Sequence, residues 1–197
     1  MGLMVHSIAR LPEGYERDYY VYLLDYGWKE SLGEVLGANF DRMANLATTN
    51  KAVVIRGLVG SHFQDEVLSW HHFNGQPADE LLPAILITTQ HPAYFQKFSE
   101  KPLKQAGGSW SNQVLLLIPL RTCCKSADDV VQLIEKIFAD IKAKKPLVDF
   151  RVVEEIRAGE GKSLLDALIL KPSVGGLGVD LVALGRALKK KVGKKSR

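Results

Sequence analysis

Cysteine is scarce in this chain. Cys123 and Cys124 are the only two among 197 residues, and they are adjacent. Neighbouring cysteines cannot staple a fold in ordinary disulfide geometry, so burial must hold the chain together. Two thiols without a disulfide framework point to a reducing, cytoplasmic setting. Long apolar runs are missing as well. No span nears the roughly 18 apolar residues of a membrane helix, and the most apolar run, Val114 to Leu120, is short and contains Pro119. Residues 1–10 lack the charged start and apolar stretch of a secretory signal. His6 stands where N-myristoylation after Met1-Gly2 needs Ser or Thr. Metal-ligand spacings are also lacking. His62, His71, His72 and His91 cluster near Asp65 and Glu66, yet no two histidines stand at i, i+4 or H-x-H spacing. No metal and no cofactor is therefore expected.

The charge that is present is unevenly placed. Lys and Arg total 26 against 22 for Asp and Glu, a net of +4. Seven basic residues and no acidic ones fall between Arg186 and Arg197, so the remainder carries 4 − 7 = −3. The basic isoelectric point belongs to the tail. With no aromatic residue interleaved for base stacking, that tail supports only weak nucleic-acid contact. A hydrophobic content of 46% with mixed charge excludes a disordered chain. The expected organisation is an N-terminal extension over 1–18, one domain over 19–192 and a basic tail over 193–197.

Strand and helix signals alternate along that domain. Tyr19 to Tyr26 (YYVYLLDY), Lys51 to Leu58, Ala84 to Thr89 and Val114 to Leu120 are rich in branched and aromatic residues, as strands are. Ser31 and Glu34 have capping-box spacing before a stripe of Leu32, Val35, Leu36, Phe40, Met43 and Ala47, which predicts one amphipathic helix. Phe63 to Phe73 predicts a short helix. Ser126 and Asp129 cap the clearest one, whose buried face is Val130, Ile134, Ile137, Phe138 and Ile141. Asp149 to Ile156 reads as a fifth strand, Ser163 to Leu170 as a sixth strand or a short helix, and Val179 to Val192 as a closing helix. The connection from Gln90 to Asn112, broken by Pro92, Pro102, Gly107 and Gly108, is a lid, a short helix around Tyr94 to Phe98, or a lobe boundary near 91–112. Strands alternating with helices predict a three-layer α/β/α domain with a mainly parallel sheet of five or six strands.

Few residues carry recognisable chemistry. Gly159-Glu160-Gly161-Lys162-Ser163 ends as a phosphate loop ends, but Ile156 occupies the place of its first glycine, so a tight turn is expected. Gly175, Gly176 and Gly178 precede the last predicted helix and are the candidate anion-binding loop. Gly33 and Gly37 lie four apart on the first helix, each costing about 1 kcal/mol relative to Ala. Such a cost implies close approach of a neighbour or, secondarily, of a ligand.

His91 follows the third predicted strand, and Cys123-Cys124 the fourth. In a parallel sheet these groups emerge at one edge, where imidazole and thiol assemble a nucleophile. The placement resembles that of caspase-like peptidases, although Pro92 stands where that family has Gly beside its His, and no Gly follows the cysteines. Tyr94, Phe95, Phe98 and Trp110, spread through the long connection, are the candidate protein-binding face.

The second half, from Val114 through the capped helix to Gly175-Gly176-Leu177-Gly178, is similar to small effector-associated modules of bacterial conflict systems. That resemblance implies an interaction or regulatory role. The leading expectation is a non-enzymatic adaptor or sensor that recognises another protein. A cysteine hydrolase using His91 with Cys123 or Cys124 comes second, and a nucleotide- or nucleic-acid-binding domain third. No membrane partner is expected.

Overall fold

The branched and aromatic runs at 19–26, 51–58, 84–89 and 114–120 form strands as predicted, but the directions of those strands differ from expectation. The computed structural model describes residues 1–12, 16–27, 30–71, 73–74, 81–99, 115–159, 169–170 and 179–180. In chain order its elements are β1 (Gly2–Val5), β2 (Tyr19–Leu24), α1 (Ser31–Ala38), α2 (Phe40–Thr48), β3 (Ala52–Gly57), α3 (Phe63–Trp70) and β4 (Phe73–Asn74). They continue with β5 (Ala84–Thr88), α4 (Pro92–Ser99), β6 (Leu115–Pro119), α5 (Leu120–Cys123), α6 (Ala127–Lys142), α7 (Arg151–Gly159), β7 (Ile169–Leu170) and β8 (Val179–Asp180).

The main sheet has the order β1-β3-β2-β5-β6-β7, and β4 pairs with β8 apart from it. β3 is parallel to both β1 and β2. β5 is antiparallel to β2 and to β6, and β7 is antiparallel to β6. The sheet is therefore mixed, not mainly parallel. The continuous apolar runs of β5 and β6 suggested parallel strands, but such runs report burial on both faces rather than direction. The pleat makes that burial explicit. Tyr19, Val21 and Leu23 of β2 meet Leu36, Phe40, Met43 and the apolar side of α6. Tyr20, Tyr22 and Leu24 face Ile8, Phe63, Val67 and Phe95 on the other side. Each fully buried side chain of this kind contributes about 1.5–3 kcal/mol, so these two clusters dominate stability.

Several local expectations are corrected. The predicted single helix over 31–48 is two helices, because Asn39 turns its side-chain amide onto the Val35 carbonyl at 2.9 Å and competes with the ladder. Ser31 and Glu34 form no capping box; Glu30 is the cap residue, and its carboxylate grips Arg121 at 2.7 and 2.8 Å. The box predicted at Ser126 and Asp129 does form.

Residues 151–159 are helix, not strand. The buried Asp140 carboxylate accepts the Arg151 backbone N–H at 2.5 Å and so supplies an acceptor to the first turn of α7. Lys145 Nζ and Arg151 Nε each lie 3.2 Å from its other oxygen. Gly2–Val5, expected within an extension, is an edge strand of the sheet, and Ile8 and Leu11 beyond it are core. Val179–Asp180 is a strand beside β4, where a helix was expected to begin. Residues 163–168 of the predicted sixth strand and the basic tail lie outside the described residues.

Candidate functional site

The predicted His–Cys pair is not assembled. β5 and β6 run antiparallel, with Thr88 opposite Leu115 and Ala84 opposite Pro119. His91 follows one end of that ladder and the cysteines follow the other, four residues or roughly 14 Å away. His91 packs edge-on against Tyr20, with ring centroids 5.5 Å apart, and accepts the Ala93 N–H on Nδ1 at 3.1 Å. Cys124 is buried in the opposite cluster. Burial, and then the charge of Asp129, push its thiol up to about 11, with Lys136 opposing. A thiol so placed is a small core hydrophobe.

The predicted aromatic face is split. Phe95 is core, its ring 4.4 Å from that of His71, and Tyr94 is half-buried beside it. Phe98 lies on α4, but its side chain lies outside the described residues, as do Trp110, His72, Gly175, Gly176 and Gly178. Among the described residues no three His, Cys, Asp or Glu side chains gather to hold a metal, and no helix is long and apolar enough to cross a membrane. His62 is exposed, 3.5 Å from Asp65, and His71 is buried with Nδ1 2.7 Å from the Val67 carbonyl.

Two other features emerge instead. The first is the outer edge of β1, which pairs with no strand among the described residues. Val54 N–H donates to Met1 O and Leu58 N–H to Val5 O, in register with Leu3 opposite Ile55. In a parallel ladder this alternation commits Met1, Leu3 and Val5 to β3 and turns the N–H and C=O of Gly2 and Met4 outward. Met4 and Val59 are the exposed large hydrophobics among the described residues, at 53% and 97%.

The second is the switch point at the C-terminal ends of β2 and β3. These neighbours are parallel, yet the chain leaves β2 for α1 and α2 on one face and leaves β3 for α3 on the other. Such a divergence marks the place where α/β sheets take ligands. Asp25 follows β2 there, and Arg56 is the penultimate residue of β3. A Cβ at Gly33 would lie 2.8 Å from Asp25 Oδ1, and one at Gly37 would lie 3.1 Å from Arg56 Nη2. The two helical glycines therefore make notches for a carboxylate and a guanidinium. Both side chains are half-buried, and neither forms a hydrogen bond or ion pair among the described residues. The glycine spacing signalled a close approach, but the two charges that fill it are remote in sequence.

No family model matches the chain, and no curated protein or solved structure shows significant similarity to it.

Proposed function

We propose that this chain is a non-enzymatic protein-recognition module, an adaptor or sensor that takes an extended segment of its partner onto the outer edge of β1. The outward N–H and C=O groups of Gly2 and Met4 carry this reading. Proteins usually blunt such an edge with Pro, Lys or an inward charge, and Gly2-Leu3-Met4-Val5 contains none of these. The exposed Met4 side chain adds an apolar contact for an incoming strand. The preferred partner segment is thus extended and apolar. The hydrolase alternative requires His91 beside a thiol, which the antiparallel β5–β6 pairing opposes. Cys123 and Cys124, neither of them in a disulfide, suit a reducing, cytoplasmic setting.

The test uses a displayed random-peptide library selected on the full chain. Met4→Pro removes only an N–H that faces away from β3, which edge strands tolerate. Enriched peptides are expected to be apolar and to lose binding to this variant, while its melting temperature stays within a few degrees. Peptides that bind Met4→Pro as well as the native chain, or a selection yielding none, would count against strand addition.

A further inference from the structure

At the C-terminal ends of β2 and β3 stand an acid and a guanidinium, Asp25 and Arg56, that form no hydrogen bond or ion pair among the described residues. Gly33 and Gly37 weaken α1 as a helix, and what they admit is the Asp25 carboxylate and the Arg56 guanidinium. An ion pair between these two would repay that cost, but none forms: each charge sits in its own notch. Residues four apart on a helix place their Cβ positions about 5–6 Å from one another. The two charged groups thus lie along one helix stripe about a turn apart. Glu30 and Arg121 clamp the start of α1 beside them through a two-pronged ion pair, which holds the stripe in place.

We infer that this switch point binds a phosphorylated sugar or nucleotide, with the phosphate on Arg56 and sugar hydroxyls donating to Asp25. Three observations converge on that chemistry. The two charges stand where adjacent parallel strands send the chain to opposite faces, the place where α/β sheets take ligands. A guanidinium whose donors have no partner among the described residues matches phosphate oxygens in its planar fork. Asp25 rests beside Gly33 in the first turn of α1, where the helix dipole compensates its charge. It therefore needs no cation and acts as an acceptor for neutral hydroxyls. The inference does not depend on strand addition at β1.

Calorimetric titration of the full chain with ribose 5-phosphate, adenosine 5′-monophosphate, inorganic phosphate and ribose tests it. The two phosphorylated pentoses bind and ribose does not. Tighter binding of the nucleotide identifies a nucleotide site, and equal affinity identifies a sugar-phosphate site. Arg56→Gln weakens both by about tenfold or more, the scale of hydrogen bonds to a charged group. Asp25→Asn weakens the sugar phosphates and leaves inorganic phosphate unaffected. If Arg56→Gln loses its melting transition, Arg56→Lys decides, because it keeps the charge and loses the fork. Failure of both phosphorylated pentoses to bind at millimolar concentration, or undiminished affinity in whichever Arg56 variant folds, overturns the inference.

Discussion

Tyr22 and His71 meet edge to face in the core, with ring centroids 5.3 Å apart. Tyr22 is fully buried, and its hydroxyl has no hydrogen-bond partner among the described residues. A buried hydroxyl in that position costs stability that its ring must offset.

Replacing Tyr22 by Phe keeps the ring and removes the orphaned hydroxyl. The variant is expected to be as stable as the native chain or more stable by about 1 kcal/mol. Burial first, and the charge of Tyr20 second, hold the Tyr22 phenol well above its ordinary value of 10.0. The native state therefore keeps this proton more tightly than the unfolded chain. Its contribution is complete below the unfolded pKa and is lost as pH rises from there toward the folded value. Denaturant melts from pH 8 to 11 should show a smaller alkaline loss in Tyr22→Phe. An unchanged alkaline slope would remove Tyr22 as its source.

The thiol prediction follows from burial. With its pKa near 11, Cys124 carries thiolate in about one molecule in ten thousand at pH 7. Iodoacetamide should modify it at least about a hundredfold more slowly than a free thiol. His91→Ala should leave that rate unchanged, because the two residues follow opposite ends of the β5–β6 ladder. Mass spectrometry of labelled peptides reads both outcomes. Fast labelling of Cys124 that disappears in His91→Ala would restore the hydrolase reading.

Phe95 was expected on a partner-binding face, and the structure places it in the core at 3% exposure. Phe95→Ala should cost about 3–5 kcal/mol, the range for truncating a buried aromatic. Tyr94→Ala, at a half-buried position, should cost less. Urea denaturation of the two variants separates these cases. Near-native stability in Phe95→Ala would show that the ring is not a packing element.

Alternation and turn chemistry made β2, β3, β5 and β6 legible because each is a short branched or aromatic run with clear ends. The capped helix was equally clear, since Ser126 and Asp129 satisfy one another locally. Residues 151–159 were not, because Val152 and Val153 favour a strand locally. The acceptor that meets their first turn, Asp140, belongs to the preceding helix and reaches it only in the folded chain. β1 is not legible in the sequence because four residues carry too little pattern, and its partner β3 lies about fifty positions away.

The sequence by itself determined which segments are buried, where α6 begins and that α1 carries two glycines a turn apart, because burial, capping and spacing are local properties. Strand direction, the place of β1 at the sheet's edge among the described residues and the placing of Asp25 and Arg56 beside α1 were decided only by the tertiary structure. A connection's length does not say at which end of the sheet it returns. Two charges thirty-one positions apart acquire a common surrounding only when β2 and β3 pair in register. Periodicity reports the face that a residue occupies, and pairing decides which remote residues share it.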